Sequence, residues 1–134
     1  MAFLRQYEIL LTKAKSDLKA GRILLNRFDS GDDELDLETI MFHLQQCAEK
    51  LLKALLSFNK CHIVKTHDLE ELLSIINARQ IEVTKNAYEL IPLTEYAVEG
   101  RYAVIHDDLD DADKYIQILE ELLQYVSSAI KAVR

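Results

Sequence analysis

At 134 residues, with three glycines and a single proline, the chain fits one domain spanning 1–134 and built almost wholly of helix. Two cysteines, no apolar run of about 18 residues, and no secretory pattern in Met1–Gln6 exclude a disulfide scaffold and a membrane span, so the expected setting is cytoplasmic. A net charge of −7 excludes a general nucleic-acid binder, which needs a broad positive field.

The first predicted helix runs from about Ala2 to Phe28. Leu4, Tyr7, Leu11, Ala14, Leu18, Gly21, Leu25 and Phe28 recur at three-four spacing and make one apolar seam. Gly21 lies on that seam, where a missing side chain lets another helix approach closely. Residues 29–38 form an acidic turn, and Asp36 is placed to cap the second helix. That helix runs to about Phe58. Leu37, Ile40, Met41, Leu44, Ala48, Leu51, Leu52 and Leu55 form its inner face, and Gln45, Gln46, Glu49, Lys50 and Lys53 its polar side.

Asn59 to His67 reads as a loop. Thr66 is the expected cap of a short third helix whose inward positions are Leu69, Leu72, Leu73 and Ile76. A further helical stretch is predicted over Thr84–Tyr102, kinked or restarted at Pro92. A second acidic turn, Asp107–Asp111, precedes a last helix over Asp110–Val133. Its seam is Ala112, Tyr115, Leu119, Leu122, Val126, Ala129 and Val133. The expected fold class is all-α: an up-and-down bundle of four to five helices.

Charge is uneven along the chain. Residues 43–67 carry Lys50, Lys53, Lys60 and Lys65 against Glu49 alone, a local net of +3. Residues 107–121 carry five aspartates, Glu120 and Glu121 against Lys114, a net of −6. Such runs are usually solvated faces, but the first offers a local place for a phosphate-bearing ligand. Lys50 and Lys53 share a helix face, and Tyr96 or Tyr102 would supply a ring for a base to stack on. The plainer role for the same residues is a polar flank with Glu49 paired to Lys53 four positions on.

The stretch Tyr96–His106 sets Arg101 and His106 five positions apart in apolar surroundings. A guanidinium that clamps a phosphate beside an imidazole that moves a proton is the minimal kit for cutting RNA without a metal. On one continuous helix the two would lie about 140° apart, so they converge only if the helix ends between them or a second subunit completes the site. The alternative role for Arg101 is an ion pair with Glu99 or a nearby aspartate. Cys61, His62 and His67, with His43 and Cys47 one turn apart on the second helix, lack the paired spacing of a metal site, and neither metal nor cofactor is expected.

Phe42-His-Leu-Gln-Gln-Cys-Ala-Glu-Lys-Leu-Leu-Lys-Ala-Leu-Leu56 resembles the second-helix signature of the HEPN family. Thr66–Leu73 is similar to that family's third-helix opening, and Leu93–Tyr102 to its fourth-helix motif, in the same order. The resemblance implies a helical bundle working as a homodimer, often beside a minimal nucleotidyltransferase in a module of toxin–antitoxin type. It also implies a ribonuclease motif of arginine, four to six residues, then histidine, which Arg101 and His106 satisfy. Arg101 would then bind phosphate, and His106 would act as general base or acid. Two positions depart from it: Tyr102 follows the arginine where the family's ribonucleases usually carry a small polar residue, and Asp108 stands where some toxin members carry a modified tyrosine. The Arg101-Tyr102 pair resembles instead the nucleotidyltransferase substrate-binding-subunit branch. The expected function is therefore a nucleotide- or partner-binding subunit, with nucleotide or RNA as ligand. A metal-independent endoribonuclease toxin is the alternative.

Overall fold

In the computed structural model, residues 5–97 and 110–132 are described, and the elements among them are helical throughout: α1 (Gln6–Asp29), α2 (Leu37–Phe58), α3 (Leu69–Ala78), a 3₁₀ helix (Lys85–Tyr96) and α4 (Asp110–Lys131). None of these helices is long and apolar enough to cross a membrane.

α2 is the centre of the bundle. Thirteen of its 22 residues are buried, more than one face can supply, because α1, α3, α4 and the 3₁₀ helix all pack against it. Its largest partner is α1, which runs antiparallel: the Tyr7 ring meets Phe58 edge-on at 5.2 Å, so the start of one helix lies at the end of the other. The seam of α1 is buried at Ala14, Leu18, Gly21 and Leu25. A β-carbon at Gly21 would stand 2.7 Å from Leu44 Cδ2, so the glycine makes room for the Leu44 side chain between the two helices. Asp36 caps α2 as expected, accepting a hydrogen bond from the Thr39 amide at 2.7 Å.

Three elements differ from the sequence expectation. α1 begins at Gln6, later than its apolar seam suggested, because Arg5 is extended and its amide donates to the Glu8 carboxylate. α3 is capped by Asp68, which accepts from the Glu70 amide at 3.0 Å. Thr66 lies two residues upstream, where its hydroxyl accepts from the Asp68 amide and donates to Glu71. Pro92 neither kinks nor restarts an α-helix: it lies inside the 3₁₀ helix.

That helix is a three-faced prism. Its period of three residues per turn stacks Ala87, Leu90 and Leu93 in the core, with half-buried Tyr96 continuing the row. Asn86, Glu89, Pro92 and Glu95 form an exposed edge, so the missing proline N–H falls on the solvent side. Glu89 pairs with Lys114 of α4 at 2.9 Å, and Thr94 Oγ1 accepts from the Leu69 amide at the start of α3. On α4, Ile116, Ile118 and Ile130 are buried beside the expected seam, while Ala129 is half-buried, so the inner face is wider than a strict three-four stripe.

Candidate functional site

The polar side of α2 is organised as two rows. His43 and Lys50, seven residues apart, face α1; Gln45, Glu49 and Lys53, each four apart, face the segment that leads into α3. Each row closes on one carboxylate.

In the first row the carboxylate is Asp17 of α1. Its Oδ1 lies 3.1 Å from His43 Nδ1, and its Oδ2 accepts from Lys50 Nζ at 2.5 Å. All three side chains are less than a third exposed, which strengthens the charge-assisted bonds relative to a solvent-facing pair. Asp17 follows from helix geometry: it precedes the seam residue Leu18, on the flank of α1 that turns toward α2.

In the second row the carboxylate is Glu49, only 6% exposed, which needs compensation for burial. It has three donors. Lys53 Nζ donates to Oε2 at 2.8 Å, and Gln45 Nε2 donates to Oε1 at 3.1 Å. His67 Nδ1 lies 2.8 Å from the same Oε1, so the imidazole carries its proton on Nδ1 and donates. Burial pushes the Glu49 carboxyl up, but the bonds from Lys53, His67 and Gln45 outweigh it and hold the group below the usual glutamate range. Gln45 Nε2 also donates to the His67 carbonyl, and Gln46 donates to Gln45 Oε1. The loop before α3 is thus fastened to α2 through both the backbone and the ring of His67.

The expected polar side of α2 is therefore not a solvated flank: Gln45 and Glu49 are buried. The four-residue Glu49–Lys53 pair forms. Lys50 and Lys53 share a helix but close on different carboxylates, one across the α1–α2 interface and one within α2. Tyr96 is half-buried against the core. Arg101, Tyr102, His106 and Asp108 lie outside the described residues, as does most of the second acidic turn. Asp17 is a structural member of the site whose only trace in the sequence is an isolated acid among the lysines of α1, and His67, which the sequence sets near Cys61 and His62 without metal-site spacing, closes on Glu49 instead.

Cys47 is fully buried, and burial, with Asp17 nearby, pushes its thiol far above the ordinary range, so it behaves as a small apolar packer. Among the described residues no three His, Cys, Asp or Glu side chains converge on a point that would hold a metal ion.

A family model described as the HEPN domain matches residues 7–129. The crystal structure of ST0689, an archaeal HEPN homologue, aligns with a TM-score of 0.65 over 95% of this chain and 99% of that chain, at 22% sequence identity. At that identity the likeness speaks for the fold. A search of curated proteins gives no match. With the family match running from the first helix to the last, and a HEPN homologue sharing the all-helical fold, the chain belongs to the HEPN family.

Proposed function

We propose that this protein is a nucleotide- or partner-binding subunit of a two-component module of toxin–antitoxin type. It works as a homodimer beside a minimal nucleotidyltransferase and performs no catalysis of its own. The observation that carries the reading is the charge balance of the α2 strip. Lys50 and Lys53 each already hold a carboxylate, and His43 and His67 are each held by one. A phosphate arriving there must share or displace a carboxylate. That arrangement suits reversible recognition of a nucleotide or a protein surface more than tight capture of an RNA chain. Tyr102 after the arginine, and Asp108 in place of a modifiable tyrosine, favour the same reading over the ribonuclease one.

The test uses the intact chain, ATP titrated by calorimetry, and an RNA oligonucleotide incubated with chelator. The expected result is nucleotide affinity that falls about tenfold in Arg101→Ala and in Lys50→Ala, with little change in His106→Ala and no RNA cleavage. Chelator-resistant cleavage that disappears in both Arg101→Ala and His106→Ala would replace the binding reading with the ribonuclease one.

A further inference from the structure

α1 carries a second stripe that the bundle does not use. Ile9 and Ile23 remain 40% and 49% exposed, two of the three large apolar side chains left open among the described residues. With Ser16 midway, they repeat every seven residues, about 160° around the axis from the buried Leu18. The stripe is about 21 Å long, drifts about 40° around the axis, and is small at its centre, which is the shape that accepts a second helix at a shallow crossing angle.

Charge defines the edges. Lys13, Lys15 and Lys19 line this part of α1, while Arg22 and Arg27 are already paired with Glu120 and Asp32. Asp17 is turned to His43 and Lys50, so it does not neutralise the outer face. Lys13 and Lys19 lie three residues either side of Ser16, about 60° to the left and right of the stripe. Both are exposed, and neither is paired with a carboxylate among the described residues.

We infer that this face of α1 docks a helix of another protein, one with apolar residues at heptad spacing and acidic residues on its flanks. The inference rests on the binding-subunit reading and names the surface that reading requires. Paired isoleucines with a small residue between them match helix packing, and flanking lysines select acidic flanks. A second α1 would set lysine against lysine. An RNA strand would find no ring to stack on along the stripe. A bilayer would meet no continuous apolar face, because the apolar seam of α1 is already in the core.

The experiment is a fluorescence-anisotropy titration of the full chain with a labelled synthetic heptad peptide carrying leucine at its core positions and glutamate on its flanks. The same peptide with lysine flanks is the control. The expected result is saturable binding of the acidic peptide alone, weakened by salt. Binding drops about tenfold or more in Lys13→Glu/Lys19→Glu and in Ile9→Asp/Ile23→Asp, with the circular dichroism of both variants unchanged. Four results overturn the proposal: no binding, equal binding of both peptides, wild-type affinity in the charge-reversed variant, or displacement of the peptide by a uridine oligonucleotide bound through the same lysines. Sedimentation showing a dimer abolished by Ile9→Asp/Ile23→Asp would also overturn it, by assigning the face to a second copy. None of these readouts measures RNA cleavage, so failure of the docking face and failure of the binding-subunit reading are told apart.

Discussion

Glu49 is a buried anion made tolerable by three donors, and its protonation is therefore linked to folding. Its carboxyl sits lower in the folded chain than the ordinary value of 4.5, so the charged form is favoured by the fold. The stability it contributes is present above the unfolded value and is lost as pH falls through the folded one. Glu49→Gln is expected to flatten the acid limb of a stability-against-pH curve below about pH 4.5 while lowering stability at neutral pH. Urea midpoints across that range test it, and an acid limb identical to wild type would show that Glu49 is not the titrating group. The Glu49–Lys53 half of this network is legible in the sequence, because four-residue spacing on one helix is enough to predict it. Asp17 is not, because its bonds to His43 and Lys50 span 26 and 33 residues and depend on how α1 and α2 are registered. For the same reason five-residue spacing alone leaves the convergence of Arg101 and His106 undecided.

Helix ends show how local chemistry is handled with little glycine. α1, α2 and α3 each finish with the same pair of backbone bonds: Asp32 to Arg27 and Gly31 to Phe28, Cys61 to Leu56 and Lys60 to Ser57, Ile81 to Ile76 and Gln80 to Asn77. The motif places its next-to-last residue in the left-handed region. Gly31 occupies it at φ 98°, but Lys60 and Gln80 hold it at 62° and 58° with a β-carbon present. Gln80→Gly is expected to raise stability by about 1 kcal/mol, read as a higher urea midpoint with unchanged slope, since Gln80 is exposed and its removal leaves no cavity. A lower midpoint would mean that the Gln80 side chain stabilises the turn by more than its strain costs. The four α-helices are legible from apolar spacing, and the 3₁₀ helix was legible only as helix. Its signal is the strict three-residue row Ala87, Leu90, Leu93, Tyr96, which would drift about 60° per step around an α-helix but stays aligned at three residues per turn. A kink and a helix start are the roles of a proline in α-helices; on the exposed edge of a 3₁₀ prism Pro92 needs neither.

Across the whole molecule, α2 touches every other described helix, while the other helices meet one another less broadly. A defect in α2 therefore cannot be confined to one neighbour. Leu52 is fully buried within this hub. Leu52→Ala is expected to cost about 2–5 kcal/mol, from the lost transfer energy and the cavity left behind. The more telling expectation is cooperativity. With six tyrosines and no tryptophan, tyrosine fluorescence and far-ultraviolet circular dichroism report on different parts of the chain. For a hub-centred bundle both should move to the same lower urea midpoint with the wild-type slope. Two separated transitions, or a slope reduced in the variant, would mean that part of the bundle folds without α2. The docking stripe on α1 and the polar strip between α1 and α2 would then rest on separable supports. A single shifted transition instead ties both surfaces to one core: the α1 face stays rigid because Ala14, Leu18, Gly21 and Leu25 are locked against α2, and Asp17 meets His43 and Lys50 because the same packing fixes the register.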